Sequence, residues 1–227
     1  MDRAGFVELC LQPRLEGVEK DIERARTLID MALEMGHAAV GVLAPPAHVR
    51  SLRQLSDERV AVGAIIDVNS VPQLRDELSR TKGAEIVVVR GKNEKLTRVA
   101  LESRRVDVVL SPYATDRLNH VHAKIARDNR TAIALSLREC IMQRGGARSR
   151  VLAGYRECIK LWRKLSFPLV LTAEPTDVLS LRCKKEVEAI SGLFGLEGKE
   201  FECVLREGME VMRRARSELP EGIEVLD

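Results

Sequence analysis

Aromatic side chains are scarce: one Trp, two Tyr and four Phe make up 3% of the 227 residues. That argues against a platform of exposed rings for stacking bases, and it requires an aliphatic core. The five cysteines, Cys10, Cys140, Cys158, Cys183 and Cys203, are odd in number and have no CxxC spacing. A disulfide framework, a zinc ribbon and a dithiol redox motif are thereby disfavoured, and reduced thiols in a cytoplasmic protein fit better. No apolar run approaches the roughly eighteen residues of a membrane span, and the opening MDRAGFVELC lacks a secretory pattern, so no membrane partner is expected. No GxGxxG follows an apolar run, which removes the commonest dinucleotide fingerprint. Ser51, Ser111 and Ser166 lack the GxSxG setting of a hydrolase nucleophile. Repeats and low-complexity tracts are missing too.

What is present is an alternation. Short aliphatic runs at Phe6 to Leu9, Ala39 to Leu43, Val60 to Ile66, Ile86 to Val89, Val106 to Leu110, Thr131 to Leu135 and Leu169 to Thr172 read as strands. Helical periods lie between them, as over Val18 to Met35 and Lys92 to Ser103, and Ser70 with Pro72 marks one helix start. A long helix carries Val151, Tyr155, Cys158, Ile159, Trp162 and Leu165 on one face, and Arg156, Lys160, Arg163 and Lys164 on the other. Gln143 to Arg150, with two glycines, reads as a basic loop before it. About seven βα units imply an α/β fold of TIM-barrel type, short of its eighth strand. A doubly wound open sheet is the alternative. The chain is expected to be a single domain over 1–227, with the barrel core over about 6–172 and a helical C-terminal segment over about 175–218.

Charge is unevenly spread. The net of +3 contains a stretch from Arg138 to Lys164 with eight Lys or Arg against two acids, and a stretch from Glu186 to Asp227 with eleven acids against five cations. A basic block of that kind suits a polyanionic partner, or else a solvated helix face.

His120 and His122 are the other conspicuous pair. Leu118, Val121, Ile125 and Ala126 follow a helical period, with Asn119 or Asp116 as cap, so residues two apart point about 200° away from each other. They cannot readily share a metal ion. His120, near the helix start, is the one that could face a ligand or RNA. His37 and His48 read as ordinary loop and surface residues. Barrel enzymes gather chemistry at the C-terminal ends of strands. Here those ends offer a thin set: Asp67 and Glu174 as acids, with Arg90, Lys92 and Arg138 as cations. No catalytic and no metal-ligating residue is expected, although a metal-dependent phosphoesterase or a Schiff-base lyase using Lys92 or Lys124 is conceivable on such a barrel.

Several segments in fixed order carry a resemblance. VVVRGKNEKLTRVALESRRVDVVLSPY, LNHVHAKIARDNRTAIALSLREC, RVLAGYRECIKLWRKLSFPLVLTAEPTDVLSLR and ISGLFGL together resemble the archaeal ribonuclease P protein component 3 family, relatives of the eukaryotic thirty-kilodalton ribonuclease P subunit. The likeness spans Val60 to Leu196 and reaches weakly to FVELCLQP. It implies a barrel akin to the polymerase-and-histidinol-phosphatase enzymes. Where those enzymes place an HxH on the first strand, this chain has Glu8-Leu9-Cys10, which counts against a metal-hydrolase centre. The resemblance also implies a role: supporting a catalytic RNA that uses Mg²⁺ to remove the 5′ leader of precursor tRNA, beside a smaller RRM-like protein subunit and other ribonuclease P proteins. No cofactor is expected in this chain itself. Contacts to RNA backbone would then fall on Arg90, Lys92, Arg117, His120, Lys124, Arg138, Arg144, Arg148, Arg150 and Arg182, and would be salt-sensitive with little base specificity. Arg90 and Arg182 are equally candidates for internal pairing with Asp67 or Glu174.

Overall fold

The computed structural model describes residues 5–15, 17–111 and 118–217. Seven strands lie side by side in chain order: β1 (Val7–Leu11), β2 (Ala39–Ala44), β3 (Val60–Ile66), β4 (Val87–Arg90), β5 (Val108–Leu110), β6 (Ala132–Ser136) and β7 (Leu169–Thr172). Every neighbouring pair is parallel. Helix α1 (Val18–Glu34) follows β1, and α2 (Val49–Leu52), flanked by two short 3-10 turns, follows β2. Then come α3 (Val71–Ser79), α4 (Glu94–Glu102) and α5 (His120–Asn129), each after the next strand. Between β6 and β7 run α6 (Leu137–Met142) and α7 (Gly145–Leu165), and after β7 come α8 (Lys184–Gly192) and α9 (Gly198–Ser217).

This is the TIM-barrel-like arrangement that the alternation predicts. Both sheet faces are buried, which is why the strands read as continuous aliphatic runs. On β2, Val40, Val42 and Ala44 pack outward with Ala25, Leu28, Ile29 and Ala32 of α1, while Ala39 and Leu43 join the barrel interior. Crowding there is severe: a Cβ on Gly63 would collide with Ile86. Side-chain caps mark the starts of α4 and α5. Asn93 Oδ1 accepts from Leu96 N at 2.9 Å, and Asn119 Oδ1 accepts from Val121 N and His122 N, each at 3.0 Å.

The eighth strand's place is the distinctive feature. No backbone ladder joins β7 to β1 among the described residues. Instead Gln12 N donates to Pro175 O at 2.8 Å, and α9 lies against both strands. Val211, Met212 and Ala215 of α9 enter the same buried cluster as Val7, Leu9, Leu43, Val88, Leu110 and Val170. Arg214 and Arg216 then fasten the end of α9 to strand-start turns, donating to the carbonyls of Arg130 and of Asp57, Glu58 and Val60.

Three expectations need correction. The basic stretch Gln143 to Arg150 is not a loop: α7 begins at Gly145, with Arg144 at its N-cap. Two glycines weaken a helix, but at its very start they cost little, and the alanine and arginines that follow are good helix formers. His37 is no surface residue. Its exposure is 1%; it meets the Phe6 ring edge-on at 5.0 Å, and its Nε2 lies 3.0 Å from Arg182 O. Burial pushes its pKa down, so the ring is held neutral. Finally, the short helical turns between β2 and β3 have no counterpart in the alternation read from the sequence.

Candidate functional site: the barrel mouth and the outer basic face

The polar groups of the mouth converge where β1, β4 and β7 end. The ladder between β1 and β2 shifts register between Glu8 and Leu11, freeing the Cys10 N–H. Glu8 Oε1 accepts that N–H at 3.0 Å and also accepts from the Thr172 hydroxyl, while Oε2 accepts from Ala173 N at 2.8 Å. One carboxyl on β1 thus spans the unladdered seam to β7. Complete burial raises the Glu8 pKa from 4.5 to about 7; the three hydrogen bonds oppose the rise and the Glu174 charge adds to it. Burial, with Glu8 and Glu174 nearby, also pushes the Cys10 thiol well up, so it stays protonated and unreactive.

Arg90 forms the second layer. Its Nη2 donates to Glu174 Oε2 at 2.5 Å, and its Nε lies 3.4 Å from Asp67 Oδ2. Lys92 Nζ takes the other Asp67 oxygen at 2.5 Å and reaches Asn69 Oδ1 at 3.1 Å. Gln12 Nε2 donates to Glu174 as well, at 3.3 Å. Burial works against the Arg90 cation, but the Glu174 and Asp67 carboxylates more than offset it and hold the guanidinium above its usual range. Glu174 is nearly buried and left-handed, with φ of 48°, a costly conformation for a non-glycine residue. Its side chain is turned inward onto Arg90. Glu139, half-buried at the start of α6, has its carboxyl pushed up by burial and by the Glu174 charge. Arg138 reaches Thr176 Oγ1 at 3.4 Å and Glu174 O at 3.5 Å.

The ten predicted RNA contacts therefore separate. Arg90 and Lys92 belong to the ion-paired mouth. Arg182 pairs with neither Asp67 nor Glu174; it donates to the carbonyls of Leu179 and Leu181, at 2.8 and 2.6 Å. Arg138 braces the same β7–α8 loop. Arg117 lies outside the described residues. The remaining five lie on two helices of the outer layer, α5 and α7, which pack on each other. His120 and Lys124 are exposed one turn apart on α5, and Arg144, Arg148 and Arg150 are exposed at the start of α7. None of the five makes an ion pair among the described residues. His122, by contrast, is 3% exposed and faces the core, so the two histidines diverge as helical geometry requires.

Sequence reasoning missed the Glu8 bridge and the burial of His37. A polar residue in an otherwise aliphatic strand was the available signal for Glu8. Among the described residues there is no group of three or more His, Cys, Asp or Glu side chains placed to hold a metal ion. Glu8, Asp67 and Glu174 are already engaged by cations or by protein N–H and hydroxyl groups, so the donor set does not support the metal-dependent phosphoesterase.

Fold and charge layout together define a βα-barrel protein whose strand-end cations Arg90 and Lys92 are paired with acids, and whose α5 and α7 carry exposed cations that make no ion pair among the described residues. Comparison with known proteins then gives the family. The chain belongs to the RNase P subunit p30 family, whose model matches residues 5–218. A ribonuclease P protein component 3 from Methanothermobacter thermautotrophicus is 34% identical over 198 residues, covering 81% of this chain and 80% of that protein. One from Methanococcoides burtonii is 28% identical over 212 residues, covering 89% and 88%. A chain in the cryo-EM structure of archaeal ribonuclease P with mature tRNA shares the fold, with a TM-score of 0.75 at 19% identity over 97% of this chain and 98% of that one.

Proposed function

We propose that the chain is a protein subunit of ribonuclease P. It supports the catalytic RNA in removing the 5′ leader of precursor tRNA and supplies no reacting group of its own. The observation that carries this reading is the division of cations. Arg90 and Lys92 at the mouth are spent on Asp67 and Glu174, whereas Lys124, Arg144, Arg148 and Arg150, with His120 one turn from Lys124, are exposed on the outer helices and make no ion pair among the described residues. Free cations on adjoining helices suit phosphates of a structured RNA, which need charge and reach but no base code. The start of α7 adds two exposed glycines and the positive end of a 21-residue helix, a setting that favours phosphate.

The family resemblance supports the same partners: ribonuclease P RNA, precursor tRNA reached through the assembled enzyme, and a smaller RRM-like protein subunit. Mg²⁺ serves the RNA rather than this chain. Five free thiols support a cytoplasmic setting, and among the described residues no helix is long and apolar enough to cross a membrane.

The test is omission. Ribonuclease P RNA is reconstituted with its other protein subunits and Mg²⁺, with and without this chain, and 5′ cleavage of precursor tRNA is followed. The expected result is that cleavage at moderate salt needs the chain, while the chain alone cuts nothing. Cleavage that is indifferent to the chain refutes the reading.

A further inference from the structure

The β7–α8 loop presents Leu179 at 88% exposure beside Val178 at 38%. Such exposure in a rigid segment is unusual, and this turn is rigid. Asp177 Oδ1 accepts from Ser180 N at 3.0 Å, and Ser180 Oγ accepts from Thr176 N and Asp177 N at 3.0 and 3.1 Å. Arg182 clamps the carbonyls of Leu179 and Leu181, and its own carbonyl is held by His37. The leucine is thus held out in water on a pinned backbone. Beside it a cleft of about 340 Å³ opens toward α1, lined by Arg14, Arg24, Leu28, Thr176, Asp177 and Val178.

We propose that this turn is a preformed anchor for a second protein, one offering an apolar socket rimmed by Asp or Glu. The charges around the knob argue for that occupant. Arg14 lines the cleft with Asp177, Arg138 donates to Thr176, and Arg182 donates to the carbonyls of Leu179 and Leu181, so cations outnumber the one carboxylate around the knob. An aliphatic centre inside a cationic rim matches an acidic-rimmed protein socket. RNA would satisfy the arginines but offers no pocket for Leu179, since its apolar contacts are flat bases that stack on rings and guanidinium planes. Preorganisation lowers the ordering cost of docking, which is how a single side chain becomes an energetic anchor. The surface is distinct from the α5–α7 face assigned to RNA; it rests on the proposed function only in placing the partner among ribonuclease P proteins.

The experiment uses the full chain carrying Leu179→Asp, with Leu179→Ala as a milder variant. Each is titrated against the other purified ribonuclease P protein subunits without RNA, and separately against ribonuclease P RNA. Removing a buried leucine from an interface should weaken one protein pairing by roughly ten- to a hundredfold, and Asp should exceed Ala because it meets a like-charged rim. RNA affinity and the melting temperature of the free chain should not change. Undiminished binding to every protein subunit, or no pairing by the parent chain, overturns the proposal. A loss confined to RNA overturns it in favour of an RNA occupant. Either result can occur with the omission assay still positive, so failure here is separable from failure of the functional reading.

Discussion

Replacing Glu8 by Gln should reverse the order of stability between variant and parent as pH rises. In the fold the carboxyl sits near 7, against 4.5 as its ordinary value, because complete burial disfavours the anion. A carboxyl raised in this way binds more protons folded than unfolded. Its stabilising contribution is therefore full below pH 4.5, declines between 4.5 and 7, and is lost above 7. At about 1.4 kcal/mol per unit, the parent should lose roughly 3 kcal/mol across that window from this group alone. The amide cannot ionise, so the variant escapes the decline. It does give up one hydrogen bond, since its NH₂ cannot accept from Ala173 N, at a cost of about 1 kcal/mol. The variant should thus be less stable at pH 5 and more stable at pH 8, with the curves crossing between. Urea midpoints at four pH values measure this. The half-buried Glu139 and Glu207 carboxyls and the buried His37 also tilt the parent curve, but they are common to both proteins and drop out of the difference. Parallel curves would refute the assignment of Glu8 as a buried carboxyl whose pKa the fold raises to about 7.

Arg90→Ala should destabilise the fold by about 3 kcal/mol, because Glu174 would be left buried without its cation; a denaturant midpoint close to the parent's would contradict the pairing. Joint charge reversal at Lys124 and Arg150 should leave the melting temperature unchanged while lowering RNA affinity and reducing the salt slope of binding by about two, roughly one per lost phosphate contact; an unchanged slope removes these residues from the interface. Asn119→Ala should cost about 1 kcal/mol through loss of the α5 cap, seen as a lower urea midpoint, with a small secondary loss of RNA affinity as His120 and Lys124 become less ordered.

The barrel itself was legible because its evidence is local. Strands buried on both faces write themselves as Val, Ile, Leu and Ala runs, and Ser70 with Pro72 is a start signal whose physics spans four residues. The divergence of His120 and His122 needed only the helical period. What stayed hidden depends on residues far apart in the chain. Arg90 and Glu174 are 84 positions apart, and Glu8 and Ala173 are 165 apart, so neither meeting has a sequence signature. His37 sits where Gly36 ends α1, a context that reads as loop, and is buried because Phe6 and Arg182 arrive from elsewhere. The start of α7 was misread for the opposite reason: local glycine chemistry was overweighted against the 21-residue helix that it begins.

A barrel with seven strands must find some other way to join its first strand to its last, and that need explains the chemistry of the mouth. Backbone groups on β1 and β7 lack partners that an eighth strand would supply, and unpaired buried N–H groups are costly. Glu8 satisfies two of them, at Cys10 and Ala173, and Gln12 pairs with Pro175 on the same seam. Holding Ala173 there fixes the left-handed Glu174, whose inward carboxylate in turn requires Arg90 and, through Asp67, Lys92. The acids and cations that a catalytic barrel would direct at substrate are thus committed to one another by the closure of the sheet. On the proposed function the surface left for a polyanion is the outside of the barrel, where Lys124, Arg148 and Arg150 of α5 and α7 are exposed and make no ion pair among the described residues. Substitutions at the seam should therefore act on RNA-dependent cleavage only as far as they unfold the chain, whereas those at Lys124, Arg148 or Arg150 should act without unfolding it.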